Sequence, residues 1–397
     1  MESLRVAIVA GEASGDALGA ALIDALRARV PACRFAGVAG PRMRAAGCQA
    51  LADAQELSVM GLFEVLPHLP RLLRLRARLA RELVAFAPHV FIGVDYQQFN
   101  LGLARRLKAR GHLTVQYVSA QVWAWRRHRV YTVGRAYDLV LCLLPFEPDF
   151  YREHAVGAQF VGHPLADQLP LQPDRAAARA ALGLAAGSTV LALLPGSRVG
   201  EVRRLSEPFL RAATLLAARR AGLAILAPMA GEGPREAFEH ALRAAVPGPA
   251  VRLLDGQARA VLTAADVALV ASGTAALEAL LCRAPMVVAY RMGAPTALVL
   301  RALRLVKLPY FSLPNLLAGE ALVPEFLQEA VAPAPMARAL EELLDDAPRR
   351  DYLLARFHRI HESLRQDGAA RAAEAVLQLL RERTGRNWAE HADCGSR

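Results

Sequence analysis

The chain has 397 residues, 54% of them hydrophobic and 21% charged, and a formal net charge of +11. That length allows two or three domains with sizeable cores, and the composition excludes a disordered chain. The positive excess points to an anionic partner: nucleic acid, an anionic membrane surface or a phosphorylated substrate.

The five cysteines, Cys33, Cys48, Cys142, Cys282 and Cys394, are scattered, and no C-x-x-C occurs. A disulfide framework or a zinc site is therefore not expected, and a reducing cytoplasm fits best. No signal peptide is expected, because the first apolar run reaches Glu12 almost at once. Charges such as Asp266, Glu278 and Arg283 cut the long apolar regions, so no transmembrane helix is expected.

Residues 4–10 form a short apolar run, read as a buried first strand. It ends in Gly11-Glu12-Ala13-Ser14-Gly15-Asp16, and a helix is expected over 17–29. This turn has neither the G-x-G-x-x-G spacing nor the lysine of a P-loop. It suits a sugar or phosphate, with Glu12, Ser14, Gly15 and Asp16 as candidate contacts; an ordinary cap by Ser14 or Asp16 would look the same. A second strand at 34–38 leads through Gly40-Pro41-Arg42-Met43 into a short helix. Over 60–83 leucines interleave with arginines. Pro67 and Pro70 break up the first part, and the second part reads as a basic amphipathic helix. Such a segment can lie on an anionic bilayer, with Leu66, Leu69, Leu72, Leu73, Arg74 and Arg76 as contacts. A core-facing helix with a solvated basic face has the same periodicity.

The strand at 89–94 ends in Asp95-Tyr96-Gln97-Gln98-Phe99-Asn100, before a helix over 101–110. An acid at the carboxyl end of a parallel strand sits where open α/β sheets bind ligands. The strand at 114–118 ends in Ser119-Ala120-Gln121-Val122-Trp123-Ala124-Trp125, followed by the basic run Arg126-Arg127-His128-Arg129. The tryptophans suit a wall for a sugar or lipid headgroup, or a packed corner of the core. Strands at 139–144 and 159–161 complete this half, and Gly162-His163-Pro164-Leu165 marks a domain boundary.

The second half repeats the rhythm, with strands at 190–194, 223–227, 251–254, 267–270 and 286–289. The first ends in Pro195-Gly196-Ser197-Arg198. Gly196 and Ser197 offer backbone N–H groups and a hydroxyl, and Arg198 a guanidinium suited to gripping phosphate. The run at 267–270 breaks at Ser272-Gly273-Thr274 before a helix over 275–281. The unpaired N–H groups at that helix start form an anion site. Glu278 lies four residues after Thr274 on roughly the same face. A carboxylate repels phosphate, so Glu278 is placed on a sugar hydroxyl pair such as a ribose. A helix rich in Leu, Arg and Lys at 297–307 precedes Ser312-Leu313-Pro314-Asn315, and the rest is helical up to a loose tail at 391–397. Strand–helix alternation in both halves implies an α/β chain of two Rossmann-like domains with mostly parallel sheets.

These motifs, in this order across most of the chain, resemble those of bacterial lipid A disaccharide synthases, membrane-associated glycosyltransferases of the GT-B class. The resemblance rests on segments 11–16, 95–100, 119–125, 162–164, 195–198, 272–278 and 312–315. It implies two Rossmann-like domains facing a cleft, with C-terminal helices packing back on the N-terminal domain. Residues 1–165 would bind the acceptor and carry the membrane-facing segment 60–83. Residues 166–345 would bind the UDP-sugar, and 346–397 would form the C-terminal helices and tail. The implied reaction is an inverting transfer of 2,3-diacylglucosamine from UDP-2,3-diacylglucosamine to 2,3-diacylglucosamine 1-phosphate, giving a β(1→6)-linked tetraacyl disaccharide 1-phosphate and UDP.

Asp95 is then the base, since a good leaving group such as UDP needs no general acid. Asn100, Trp123 and Asn315 join the substrate-binding residues, with Arg198, the Gly196–Ser197 turn and the helix at Thr274 on the diphosphate. No Asp-x-Asp occurs, so neither a metal nor another cofactor is expected. The expected partners are the two acylated substrates and an anionic membrane surface, not nucleic acid, and a homodimer is allowed. The expected location is cytoplasmic, peripheral on the inner face of the cytoplasmic membrane. The chain departs from the family where Gln97 and Gln98 replace the usual Pro and Asp, and where Ala120 follows Ser119 in place of Pro. Two other readings are another GT-B UDP-GlcNAc-dependent transferase or UDP-sugar epimerase, and a basic non-catalytic nucleic-acid-binding protein. The latter would need base-stacking aromatics where the arginines here alternate with leucine.

Overall fold

The computed structural model describes residues 3–58, 65–124, 127–185, 187–245, 248–293 and 309–388, with the side chains of 58 and 65–69 outside that description. The expectations for Leu66, Leu69, Trp125, Arg126, Cys394, the helix at 297–307 and the tail at 391–397 therefore fall outside it. The chain divides into two compact units, Met1–Asp167 with Leu364–Arg397, and Gln168–Ser363.

The first unit is built on seven strands: β1 (Leu4–Ala10), β2 (Cys33–Ala39), β3 (Cys48–Asp53), β4 (Val90–Val94), β5 (Leu113–Tyr117), β6 (Leu139–Cys142) and β7 (Ala158–Phe160). All pairings are parallel, in the order β3-β2-β1-β4-β5-β6-β7. Parallel strands covered on both faces need continuous apolar runs, and the central strand β4 is buried at every position. The chain moves outward from β1 to β3, then returns to the other side of β1 and runs to β7. Right-handed crossovers therefore place helices on both faces. Helix Ala13–Arg29 packs against helix Gly368–Thr384 on one face. There Leu22, Ile23 and Leu26 share a core with Ala372, Val376 and Leu380. Helices Val65–Phe86, Gln97–Lys108 and Val130–Ala136 pack one on the next on the other.

The expected return of the C-terminal helical region to the N-terminal domain is found in helix Gly368–Thr384. Asp167 secures it: its carboxylate accepts backbone N–H bonds from Gln366 (3.0 Å), Asp367 (3.0 Å) and Gly368 (2.8 Å). Residues up to Ser363 count with the second unit, so the sequence-based grouping of 346–397 joins two different parts.

In helix Val65–Phe86, Leu75, Leu79, Ala80 and Leu83 are buried, whereas Arg71, Leu73, Arg74 and Arg78 are exposed. The helix thus has a core stripe and an outward basic face. Arg76 is half-buried, and its side chain folds over Gly102 of the neighbouring helix, filling the space that a Cβ would take.

The second unit carries β8 (Val190–Leu194), β9 (Ala224–Met229), β10 (Val251–Asp255), β11 (Val267–Ala271), β12 (Met286–Tyr290) and β13 (Glu325–Leu327). They pair in parallel in the order β10-β9-β8-β11-β12-β13. Two edge strands, β3 and β13, were not expected from sequence. Both are partly exposed and lack an apolar run. Among the described residues no helix is long and apolar enough to cross a membrane. The four described cysteines are unpaired and buried.

Asp167→Ala leaves three backbone donors at a helix start without their acceptor. We expect a loss of about 1–3 kcal/mol in urea unfolding, with faster amide exchange at the start of helix Gly368–Thr384. An unchanged midpoint and unchanged exchange would remove Asp167 from that role.

Candidate functional site

In an open parallel sheet, ligands bind outside the carboxyl ends of the strands where the strand order reverses. In the first unit that point lies between β1 and β4, which pair directly. The loops leaving these two strands carry Gly11–Asp16 and Asp95–Asn100. In the second unit the reversal lies between β8 and β11, also direct partners. Their loops carry Pro195–Arg198 and Ser272–Glu278. The four motifs singled out in the sequence therefore stand in pairs at the two switch points.

The β4 loop is unusual in its backbone. Asp95 (φ 49°) and Tyr96 (φ 34°) are consecutive non-glycine residues in the left-handed region, each costing about 1–2 kcal/mol. Hydrogen bonds hold the turn. The Asp95 N–H donates to Tyr117 O at 2.8 Å. The Asp95 carbonyl accepts from Asn100 Nδ2 (3.0 Å) and Gln116 Nε2 (3.2 Å). Asn100 also reaches the carbonyls of Val9 and Val94, both at 3.4 Å. Asn100 is fully buried, so it ties the ends of β1 and β4 together rather than facing substrate. The Tyr96 ring lies against Gly11, where a Cβ would stand only 2.5 Å from Cγ. Its hydroxyl donates to Leu57 O at 3.0 Å.

This turn leaves the Asp95 carboxylate half-buried at the strand end. Burial raises its pKa above the ordinary carboxylate range, against the opposing Tyr96 N–H. Glu12 and Ser14 are exposed on the neighbouring β1 loop, and Glu12 lies close enough to Tyr96 to raise the phenol's pKa along with burial. Asp16, expected on substrate, is buried instead. Its carboxylate accepts from the backbone N–H of Gly40 (2.8 Å), Arg42 (2.9 Å) and Met43 (3.1 Å). These bonds fix the start of helix Pro41–Ala45. Gly15 is buried where the helix after β1 lies against β4; a Cβ there would stand 3.6 Å from Val94 O, in ordinary van der Waals contact.

Trp123, expected as a wall for substrate, is buried, and its Nε1 donates to Glu147 at 2.9 Å. Glu147 is itself buried and also accepts the Leu144 N–H at 3.0 Å. Burial raises its pKa in spite of these bonds. Gln97 donates to Ser119 O at 3.2 Å, linking the β4 loop to the β5 loop. Sequence reading missed Glu147 and Gln116, because a buried partner leaves no pattern at short range.

In the second unit, helix Val199–Arg219 follows Arg198 and helix Thr274–Leu281 follows Gly273; neither start is capped by a side chain of its N-cap residue. Gly196 (φ 129°) and Gly273 (φ 141°) permit the sharp turns. Arg198 is 84% exposed and pairs with Glu201 at 3.3 Å, while Glu201 accepts the Ser197 N–H at 3.3 Å. With its head in solvent, the Arg198 guanidinium can turn to an anion. Gly273 and Thr274 are exposed or partly so, and Ser272 donates to Phe311 O at 3.4 Å. Glu278 is held by Arg259 Nε at 2.9 Å, a partner 19 residues away that the sequence did not signal. Asn315, expected on the nucleotide, bonds in both directions to the Val323 backbone, at 2.9 and 2.8 Å. It shapes the loop after Ser312 and is buried, with its amide committed to backbone rather than to a ligand. Among the described residues no group of three metal-ligating side chains converges.

A family model described as lipid-A-disaccharide synthetase matches residues 6–379. The lipid-A-disaccharide synthase of Sodalis glossinidius is 54% identical over 377 residues, covering 95% of this chain and 98% of the relative. Among solved structures, a putative UDP-N-acetylglucosamine 2-epimerase from Listeria monocytogenes superposes with a TM-score of 0.63 at 12% identity, covering 97% of each chain. The calicheamicin glycosyltransferase CalG4 gives a TM-score of 0.52 at 16% identity, covering 97% of this chain and 100% of that one. These two likenesses show the fold, that of GT-B glycosyltransferases and UDP-sugar epimerases.

The Gly11–Tyr96 contact yields a direct test. Gly11→Ala should destabilise the first unit by about 1–3 kcal/mol through overpacking. Adding Tyr96→Ala should recover part of that loss, so the double variant loses less than the sum of the two singles. Strict additivity would mean that the ring does not press on Gly11.

Proposed function

The chain belongs to the lipid-A-disaccharide synthase family and is a glycosyltransferase, and from that premise we propose how its loops divide the reaction. The acceptor, 2,3-diacylglucosamine 1-phosphate, binds at the β1/β4 switch point. The donor, UDP-2,3-diacylglucosamine, binds at the β8/β11 switch point. The acceptor's primary hydroxyl oxygen attacks the anomeric carbon as the bond to UDP breaks with inversion. The hydroxyl proton passes to the Asp95 carboxylate, and the electron pair leaves on the UDP oxygen.

The observation that carries this reading is the Asp95 carboxylate itself, half-buried with a raised pKa at the reversal of strand order. A base poised higher than an ordinary carboxylate takes a proton more readily in the transition state. Charge developing on the leaving diphosphate is met by Arg198 and by the N–H groups and dipoles of the helices starting at Val199 and Thr274. Glu278, oriented by Arg259, accepts from the ribose hydroxyls. Glu12 and Ser14 contact the acceptor sugar. Leu72 and Leu73 of helix Val65–Phe86, with Arg74 beside them, rest on the bilayer that holds the acylated substrates.

Asp95→Asn should keep both substrates bound yet turn over at least about a hundredfold more slowly. The sign of its stability effect follows from the raised pKa. Stability gained by a protonated Asp95 is present at low pH and lost as pH rises through the folded pKa. The substituted amide cannot ionise, so the variant should unfold no earlier than the parent at neutral pH. Arg198→Ala should weaken UDP binding in calorimetry by about 1.5–3 kcal/mol. Near-parental turnover in the first variant would exclude Asp95 as the base, and unchanged UDP affinity in the second would exclude Arg198 from the donor site.

A further inference from the structure

The loops leaving β4 and β5 are both strained where they start. Asp95 and Tyr96 follow β4 in the left-handed region, and Val118 (φ 78°) does so after β5, an outlier for a β-branched residue. Gln116 lies between the two turns, its Nε2 donating to Asp95 O at 3.2 Å and to Val118 O at 3.1 Å. One residue further on, Ser119 O accepts from Gln97 Nε2 at 3.2 Å. The β5 loop is therefore a lateral support of the turn that presents Asp95.

That loop is itself anchored by the short helix Glu147–Arg152. The Tyr151 hydroxyl is buried, donates to Ala120 O at 3.1 Å and meets Ser119 Oγ at 3.0 Å. Glu147 is 3% exposed. One of its carboxylate oxygens accepts the Trp123 indole N–H at 2.9 Å, the other the Leu144 N–H at 3.0 Å. The Trp123 ring stands edge-on to Phe146, with centroids 4.9 Å apart. Burial raises the pKa of Glu147, and the groups that oppose the rise are the Leu144 N–H, Ser119, the Trp123 indole and the Leu143 N–H. No cation is among them. A buried carboxylate without a counter-ion is costly, and here hydrogen-bond donors alone offset the cost. An apolar side chain would fill the same space without it, so packing alone does not account for an acid at this position.

We propose that Glu147 is a positioning residue for the transfer: through Trp123 and Ser119 it sets the β5 loop, and through Gln97 and Gln116 that loop sets the Asp95 turn. This rests on the reading of Asp95 as the base. Glu147 touches no reacting atom; it governs where the Asp95 carboxylate stands. A displacement of about 1 Å in a reacting group can cost about 100-fold in rate.

The test is a double-variant cycle on the full chain with Glu147→Gln and Gln97→Ala. Glutamine at 147 keeps the size, but its NH2 faces an N–H donor where a carboxylate oxygen stood. Gln97→Ala cuts the link at a half-buried loop position and leaves the buried network intact. Each single variant should lower kcat about 10- to 100-fold, with UDP affinity in calorimetry unchanged. The double variant should lose no more than the worse single, because both cut one path. A loosened turn exposes Asp95, so its pKa, read by carboxyl-carbon NMR, should fall toward the ordinary range in both singles. The acid limb of kcat/KM should move to lower pH with it. A Glu147→Gln variant that unfolds at lower temperature, yet keeps the parental Asp95 pKa and kcat while folded, would make Glu147 a fold support only and overturn the proposal. Losses that multiply in the double variant would overturn it as well, since the two residues would then act independently. Should Glu147→Gln fail to fold, Gln97→Ala decides alone: a parental kcat and Asp95 pKa reject the path. An Asp95 pKa that moves while turnover stays parental also overturns the proposal, and places the fault in the reading of Asp95 as the base.

Discussion

The left-handed turn at Asp95–Tyr96 is the constraint on which the first unit's site depends. Two consecutive side chains are forced into a region of backbone space that costs about 1–2 kcal/mol each. The surroundings over-determine the turn: Tyr117, Gln116 and Asn100 take up its backbone groups, and glycine at position 11 leaves room for the Tyr96 ring. Strain of this kind clusters at functional sites. Its product is one carboxylate, raised by burial, at the sheet's carboxyl edge, with Glu12 and Ser14 on the adjoining loop.

The second unit solves a different problem, charge rather than strain. Its two uncapped helix starts offer donors, and carboxylates sit close to both. Glu201 occupies the Ser197 N–H and draws in Arg198. Glu278 is drawn by Arg259. Each acid beside a helix start is thus paired with an arginine. On the proposed reading, a donor diphosphate would take over the Arg198 head, which already stands 84% exposed.

Much of this was legible in the sequence. Continuous apolar runs marked the central strands, since only strands covered on both faces need them. Edge strands β3 and β13 escaped because partial exposure removes that run. The loops at 11–16, 95–100, 195–198 and 272–278 were recognisable as strand ends with small or charged residues. What each side chain does inside them was less so. Asp16 and Asn315 look like ligand contacts in sequence but spend their hydrogen bonds on backbone at 40–43 and 323. Asn100 and Trp123 are buried supports. Partners 24 residues apart or more, such as Trp123 with Glu147 or Asp16 with Gly40, are set by the tertiary fold, and no local pattern announces them. The Arg76 contact with Gly102 was hidden for a similar reason: the glycine leaves a groove that the helix face of Arg76 alone does not reveal.

The central claim is that Asp95 titrates as the reaction's base. Carboxyl-carbon NMR of the free protein, with Asp95 assigned from the spectrum of Asp95→Asn, measures that pKa directly. The acid limb of kcat/KM reports the pKa of the essential base in the same free state. The two should coincide and lie above the ordinary carboxylate range. A normal Asp95 pKa, or an acid limb that does not coincide with it, would contradict the claim.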